Sequence, residues 1–276
     1  MVATPIGNLA DIGLRALQVL SLVDTVACED KRHTAALLQG YGLHKPLLAL
    51  HEHNESEAAQ TVLQRLQEGQ RVAYVSDAGT PGVSDPGARL VAVVQAAGHR
   101  CVPLPGASSL TALLSVSGHA GWDGRFVFAG FLPTKAAERQ RTVQGIAADA
   151  RACLLLEAPH RIEALARDLA TLGERRVTVG RELTKQFEEV SALAASGLSA
   201  WLAADANRTR GEFVLLVHPL DSVEAADDAL DAATLRTLDL LLAELPLKTA
   251  VKLAADISGA PRNALYDAAL ARKAQG

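Results

Sequence analysis

The chain contains 276 residues, 49% of them hydrophobic, and carries a formal net charge of −4 with an isoelectric point near 6.1. This balance excludes the general positive field of a protein that coats nucleic acid, so any contact with RNA is expected to be local. No stretch of eighteen apolar residues and no basic leader occurs in the sequence, which predicts a cytoplasmic protein without a membrane partner.

The first 120 residues alternate short apolar segments with helical patterns, which is typical of an α/β domain. A chain of this length can bury two modest cores, so we predict one domain over residues 1–120 and a second over 125–220. In the first domain, strands are predicted at 1–3, 25–28, 71–75 and 100–103, and helices at 11–22, 57–68, 88–94 and 109–117.

A glycine-rich loop, Ser76–Gly87, follows the predicted strand at 71–75 and precedes a helix. Its glycines let the backbone approach a ligand closely, and its prolines stiffen the turn. A second loop of small and hydroxyl residues, Leu104–Ser109, follows the next predicted strand. Taken alone, the first loop is equally well explained as a plain strand-to-helix turn. Because α/β proteins bind ligands at the carboxyl ends of strands, the two loops together predict the floor of a cleft.

Two segments rich in ionisable side chains, Glu29–Thr34 and His51–Glu55, also follow apolar runs. The first is interpreted equally well as an ion-paired helix start or as part of a polar site. The second is expected to cap the following helix and face the cleft. His51 and His53 have no third ligand at a suitable spacing, so no metal site is predicted. The three cysteines are odd in number and far apart, which predicts buried thiols rather than disulfides.

Three glycines between Gly118 and Gly124 mark the predicted domain boundary. The second domain repeats the pattern of strand, polar turn and helix. Its strands are predicted at 125–133, 152–157, 176–180 and 211–217, with a helix at 135–148.

The tail, residues 232–276, follows an acidic, alanine-rich segment at 221–231 that is typical of a flexible connection. Short helices are predicted at 235–245, 248–257 and 262–272, and the turn before the last of them indicates a helix-turn-helix element. A small helical subdomain that packs on the body of the protein or on a partner is an equally good interpretation.

Nine motifs follow one another along nearly the whole chain: Thr4–Leu9, Glu29–Thr34, His51–Glu55, Ser76–Pro81 with Ser84–Gly87, Pro105–Ser108, Gly130–Pro133, Ala158–Arg161, Gly180–Lys185 and Gly211–Val214. Their sequences and order resemble those of the bacterial 16S ribosomal RNA 2′-O-ribose cytidine methyltransferases, a family of the tetrapyrrole methylase superfamily. Two positions depart from the family's pattern: Lys31 stands in place of a threonine and Ala158 in place of a serine.

The resemblance implies two α/β domains of tetrapyrrole methylase type with S-adenosylmethionine in the cleft between them, and a small helical tail. It also implies a homodimer and an acceptor ribose in 16S rRNA, at the decoding centre of the small ribosomal subunit. By motif, the expected cofactor-binding residues are Pro5, Asp77, Ala78, Gly79, Thr80, Ser108, Ser109, Leu132 and Phe213.

A ribose hydroxyl is a weak acid, so its methylation is expected to use a nearby proton acceptor and no metal. The candidates for this catalytic role, all at or just after predicted strand ends, are Glu29, Glu157, His160, Glu182 and Lys185. The basic residues expected to hold RNA are Lys31, Arg32, Arg161 and Arg181. Taken singly, each of these charges is equally well explained by an ion pair across the domain interface.

Two other functions remain open at this level. One is a related methyltransferase that acts on a small molecule such as a tetrapyrrole, which suits the acidic isoelectric point but not the basic clusters or the helical tail. The other is a non-enzymatic regulator that binds nucleic acid through the tail. Deleting the chain from Leu235 onward would separate this regulator from an enzyme, because the regulator should lose nucleic-acid binding whereas an enzyme's two-domain core should still bind cofactor.

Overall fold

The computed structural model describes residues 1–118, 123–220, 230 and 232–273. The chain forms two compact units, Met1–Pro219 and Leu220–Gly276. The glycine linker predicted at 118–124 and the connection predicted at 221–231 lie mostly outside the described residues. Within those residues, no helix is long and apolar enough to cross a membrane.

The first half of the larger unit is built on a parallel sheet with the strand order β2 (Leu47–Ala49), β1 (Thr25–Cys28) and β3 (Val72–Val75). Its helices are α1 (Leu14–Leu22), α2 (Lys31–Gly40), α3 (Glu55–Gln67), α4 (Ala88–Ala96) and α5 (Ser109–Ser117). Every residue of β1 is buried, as expected for a parallel strand covered on both faces. Asp30 caps α2 by accepting a hydrogen bond from the Arg32 amide at 2.7 Å, so the charged segment after β1 begins a helix.

The segments at 1–3 and 100–103, which we predicted as strands, pair only through an isolated bridge between Val2 and Leu104. The Val2 amide donates to the Tyr74 carbonyl at 2.9 Å, and the Leu104 amide donates to the Met1 carbonyl at 2.9 Å. The segment at 1–3 therefore lies beside β3, and Leu104, just after the second segment, lies beside residues 1–3. The residues flanking Leu104 are prolines, which lack amide protons, so this pairing cannot extend into a regular strand.

The second half of the larger unit is built on a mixed sheet with the order β4 (Phe126–Phe131), β5 (Ala152–Glu157), β8 (Phe213–Val217), β6 (Arg176–Arg181) and β7 (Glu189–Ala194). Strands β4 and β5 are parallel, and the other neighbours are antiparallel. Its helices are α6 (Ala136–Ala148), α7 (Ile162–Leu169) and α8 (Leu198–Ala203). We did not predict β7 because its glutamate and alanines have low strand propensity. Pairing with β6 along its whole length defines this edge strand.

Helix α5 joins the two halves. Its Leu113 is fully buried in a cluster with Leu154, Val214 and other apolar residues of the second sheet. A Cβ atom on Gly180 would lie 2.9 Å from Leu113 Cδ1, so a glycine in β6 lets the helix approach the sheet. Ile6 packs against the same cluster. The Thr4–Leu9 loop of the first half therefore lies against the second sheet.

The smaller unit consists of α9 (Ala232–Glu244), α10 (Leu247–Ser258) and α11 (Arg262–Lys273). Leu238 and Leu265 are fully buried in its core. Gly259 caps α10 with a φ of +73°, a left-handed conformation that favours glycine and allows the chain to turn into α11. The predicted helical tail with a helix-turn-helix element is confirmed. The last residues of the predicted tail, 274–276, lie outside the described part of the chain.

Candidate active site

A cleft of about 520 Å³ lies between the carboxyl ends of β4 and β5 and the loops of the first half. It brings together several residues that the sequence motifs singled out, namely Ala78, Ser109, Phe213, Glu157 and His160. Its other lining residues are Ile6, Val83, Ser84, Asp85, Phe131, Leu156, Ala158, Pro159, Gly180, Leu183, Glu212 and Val214. Because this lining comes from both halves of the unit, neither half contains the whole site.

A side pocket of about 380 Å³ adjoins the cleft and shares Ile6, Ala78 and Glu212 with it. Two more predicted residues, Pro5 and Lys185, line this side pocket. Gly7, in the Thr4–Leu9 motif, lies against the Lys185 side chain. The two cavities together therefore connect the amino-terminal motif with the loop that follows β6.

The Ser76–Gly87 loop contributes Ala78 and residues 83–85 to the lining of the cleft, whereas Asp77, Gly79 and Thr80 do not line it. Gly79 has a φ of +78°, and its amide and carbonyl exchange hydrogen bonds of 3.1 and 2.9 Å with Thr4. The Thr80 hydroxyl donates to the Ala107 carbonyl at 3.1 Å. Thr80 therefore ties the two predicted loops together, which is a structural task beyond the cofactor contact expected of it.

Three carboxylates, Glu29, Asp77 and Asp85, lie close enough to influence one another. Burial raises the pKa of Asp85 to about 6, and the charges of Glu29 and Asp77 add to the shift against a hydrogen bond from Ser76. Burial also raises the pKa of Glu29, again with a contribution from Asp77. Asp77 itself accepts a hydrogen bond from the Asp30 amide at 3.1 Å. The resulting negative potential suits a ligand with a positive charge.

Glu157, the last residue of β5, is 2% exposed. Its Oε1 accepts a hydrogen bond from the Ala158 amide at 2.9 Å and lies 3.1 Å from Arg161 Nε. Its Oε2 is buried and has no hydrogen-bond partner among the described residues. Burial raises the pKa of this carboxyl, although the Ala158 amide and Arg161 oppose the shift. One oxygen is thus held in place, while the other is buried in the wall of the cleft without a partner among the described residues.

Glu182, Lys185 and Glu212 form an ion-paired group. Lys185 Nζ lies 2.9 Å from Glu182 Oε1 and 3.0 Å from Glu212 Oε2. Burial alone lowers the pKa of Lys185, but the two carboxylates reverse this and raise it. Burial raises the pKa of Glu182, but the hydrogen bonds from Lys185 and the Glu212 amide outweigh it, so the pKa is lowered. Lys185 is therefore held protonated and Glu182 ionised, and each already has a partner.

The four basic residues expected to hold RNA have very different environments. Arg181 is 7% exposed, and its guanidinium donates to the carbonyls of Arg210 and Phe187 at 2.8 and 3.1 Å. Arg161 is bound by Glu157 and by the Leu132 carbonyl. Lys31 and Arg32 lie on the surface, Arg32 in an ion pair of 2.9 Å with Asp30. The structure therefore does not bring these four residues to one surface.

In the Gly130–Pro133 motif, Phe131 lines the cleft rather than the predicted Leu132. Leu132, expected to cover the cofactor, is 3% exposed and packs in the hydrophobic core with Val143 and Ile162. Phe131, which sequence reasoning passed over, lines the cleft instead. The order of residues along the motif could not show which side chain faces inward, because a bulge in β4 changes the alternation just before this point.

Other lining residues that sequence reasoning missed are Asp85 and Glu212. Asp85 belongs to the glycine-rich loop, whose length and glycine content gave no indication of which carboxylate would face the cleft. Glu212 precedes β8, and the sequence singled it out only as a member of the Gly211–Val214 motif. Conversely, Ser108 lies at the start of α5 without a side-chain capping bond and outside the lining of the cleft.

Comparisons with known proteins agree along the whole chain. A family model described as Tetrapyrrole (Corrin/Porphyrin) Methylases matches residues 1–197, and the RsmI C-terminal HTH domain matches residues 228–273. The ribosomal RNA small subunit methyltransferase I of Pseudomonas aeruginosa is 48% identical over 99% of this chain and 96% of its own length. The protein of the same name from Escherichia coli O157:H7 is 48% identical over 98% and 93%.

A solved structure shares the fold at low sequence identity. It is uroporphyrin-III C-methyltransferase from Thermus thermophilus, crystallised with S-adenosyl homocysteine, with a TM-score of 0.52 and 17% identity over 78% of this chain and 94% of its own. The larger unit thus has the fold of this methyltransferase. With these matches and the two-part cleft, the chain belongs to the tetrapyrrole methylase family and, within it, to the ribosomal RNA small subunit methyltransferase I family.

Proposed function

We propose that this protein transfers a methyl group from S-adenosylmethionine to the 2′-hydroxyl of a cytidine ribose in 16S rRNA of the small ribosomal subunit. The observation that carries the proposal is the free oxygen of Glu157, a buried carboxylate in the cleft with a raised pKa. The names of the relatives support the RNA substrate, because nearly half of all residues are shared over almost the whole chain.

The residues of the cleft fit S-adenosylmethionine. The volume of about 520 Å³ is within the roughly 300–1,000 Å³ of small-molecule sites. Phe213 and Leu183 supply apolar wall for a purine, and the carboxylates near Asp85 suit the positive charges of a sulfonium and an ammonium. The fold relative crystallised with S-adenosyl homocysteine supports the same ligand class. When bound, this cofactor supplies an electrophilic methyl group.

Glu157 has two properties that suit a proton acceptor, an oxygen without a hydrogen-bond partner among the described residues and a raised pKa. A base must have a free lone pair within hydrogen-bond reach of the proton that it removes, and a pKa raised toward neutrality improves its efficiency. Among the other candidates, Lys185 is held protonated and Glu182 is ionised and already paired. We therefore assign proton acceptance to Glu157 Oε2. Arg161 is a positioning residue that fixes the carboxylate through its other oxygen.

Four other candidate residues receive roles that fit their surroundings. His160 lines the cleft and is exposed, so we assign it to the phosphate or ribose of the RNA. Lys31 and Arg32 are surface contacts for the RNA backbone. Arg181 connects the loop after β6 with the loop before β8 through the Phe187 and Arg210 carbonyls, and its burial leaves it out of the RNA surface.

The direct test is methyl transfer from labelled S-adenosylmethionine to purified small ribosomal subunits that lack the modification, followed by mapping of the labelled nucleotide. We expect label on the ribose of one cytidine in 16S rRNA. Cofactor binding without any label on the subunit would reject the RNA substrate and favour a small-molecule acceptor. The proposal places the protein in the cytoplasm as a homodimer, and sedimentation of the full chain measures the second point.

Replacing Asp77 by alanine is expected to weaken cofactor binding by about 10–150-fold, the effect of losing a hydrogen bond to a charged group. The mutation removes both a negative charge near the cleft and the acceptor for the Asp30 amide. The asparagine variant keeps an acceptor at this position and should lose less affinity. Calorimetry with S-adenosylmethionine measures both.

Asp24→Ala is the matched control for Asp77→Ala. Asp24 is an exposed carboxylate just before β1, at the opposite end of the sheet, where it pairs with Arg71 at 3.2 Å. This variant should bind the cofactor as the native protein does. Unchanged affinity in a folded Asp77→Ala variant would remove Asp77 from the site.

A further inference from the structure

Phe131 is a large apolar side chain that the mechanism does not use. It is 52% exposed although it lines the cleft. Phe213, the other phenylalanine in the lining, is only 3% exposed. The two aromatic rings therefore occupy different zones, with Phe213 in the buried wall and Phe131 at the mouth, where solvent and an incoming substrate have access.

The backbone of β4 sets the orientation of Phe131. The pairing of β4 with β5 shifts register between Phe128 and Gly130, so the strand contains a bulge immediately before Phe131. Gly130 has a φ of +65°, a conformation that glycine adopts without strain. Bulges next to functional sites re-aim a side chain. Without the bulge, the alternation of side chains along the strand would turn Leu132 toward the cleft and Phe131 toward the core.

Phe131 also lines the same cleft as the residue that we assign as the base. It pairs in register with Leu156, the residue before Glu157, and neighbouring strands are about 4.8 Å apart. A nucleotide whose ribose enters this cleft toward Glu157 therefore has its nucleobase near the mouth, where the exposed ring of Phe131 lies. Such a ribose must leave the RNA stack to enter the cleft, which costs its base the stacking partners it had.

We propose that Phe131 stacks against the nucleobase of the nucleotide being methylated and so compensates for the lost stacking in the RNA. The inference rests on the proposed function and names the contact that holds the unstacked base. A planar ring at the mouth of a cleft can bind a base face without a hydrogen-bonding pattern. Phe213, deeper in the wall, is left for the purine of the cofactor.

The test is the kinetics of Phe131→Ala on small ribosomal subunits. Losing base–aromatic stacking is expected to reduce kcat/KM by about 5–150-fold. Most of the loss should be in KM for the subunit, because the contact is present before and during methyl transfer. Phe131→Tyr and Phe131→Trp should keep activity close to native, and Phe131→Leu should be intermediate. Affinity for S-adenosylmethionine by calorimetry should stay unchanged.

Phe126→Ala is the matched control. Phe126 is the same residue type in the same strand, is 44% exposed, and lies at the amino end of β4, away from the cleft. It should leave KM unchanged. Native KM for the subunit in Phe131→Ala would overturn the proposal, and so would a loss of cofactor affinity or a change in sedimentation of this variant. If the native protein labels no subunit, the proposed function fails instead, so the two failures are distinguishable.

Discussion

Glu157→Gln is expected to reduce methyl transfer to the small ribosomal subunit by about 10²–10⁴-fold, the usual contribution of a positioned general base. Glutamine has the same shape, so its carbonyl oxygen can still accept from the Ala158 amide and lie beside Arg161. The change replaces the free Oε2 by an amide group that cannot accept a proton. The loss should therefore appear in kcat, measured under saturating subunit, while cofactor affinity stays within about threefold of native.

The pH dependence of the native enzyme provides a second readout. A base must be ionised to accept a proton, and burial raises the pKa of Glu157. The rate should therefore fall as the pH is lowered through this raised pKa, and it should recover fully above it. The glutamine variant should lack the acidic limb that Glu157 causes.

Glu163→Gln is the control for replacing a carboxylate by an amide. Glu163 lies exposed in the first turn of α7, six residues after Glu157. Its conversion to an amide should leave kcat and the pH profile unchanged. Glu157→Gln with a native kcat and an intact acidic limb would show that another group accepts the proton, and Asp85, with a pKa of about 6 in the same cleft, would then be examined first.

The central strands and the polar turns after them could be predicted from the sequence because their signals are local. Strand β1 is a buried apolar run, and Asp30, two residues after it, caps a helix, which was one of the two interpretations of the Glu29–Thr34 segment. The position of Glu157 at the end of β5 followed in the same way. Its importance could not be predicted, since nothing local shows that one oxygen is bound and the other free.

Features that depend on distant partners were beyond such reasoning. In the sequence, Arg181 is an ordinary basic residue. Its hydrogen bonds to the Arg210 and Phe187 carbonyls form only when the chain has folded. Strand β7 forms because its backbone pairs with the edge of β6. Whether Phe131 or Leu132 faces the cleft depends on a bulge in β4, and this bulge arises from the pairing with β5 rather than from composition.

Asp168→Ala is expected to lower the free energy of unfolding by about 3–5 kcal/mol, because it leaves a buried arginine without its counter-charge. Asp168 and Arg139 are each 8% exposed, and their side chains meet at 2.5 Å between α7 and α6. For a unit of this size the melting temperature should fall by roughly 6–20 °C. Differential scanning calorimetry of the full chain measures the change.

Two comparisons separate loss of the ion pair from loss of packing. Glu138→Ala breaks an exposed pair with Lys135, the residue just before α6, at 3.2 Å, and should cost at most about 0.5 kcal/mol. The double variant Arg139→Met with Asp168→Leu removes both charges and should recover most of the stability. A double variant as unstable as Asp168→Ala would contradict an electrostatic origin.

This ion pair also bears on the active site, because it fixes the two segments that form one wall of the cleft. Arg139 donates to the Thr134 carbonyl at 3.2 Å, just after the Gly130–Pro133 motif, and Asp168 lies in the helix that begins after Arg161. Loosening α6 from α7 should therefore let Phe131 and Glu157 move relative to one another. We expect Asp168→Ala, assayed well below its melting temperature, to lose kcat for the subunit, and the double variant to regain it together with stability.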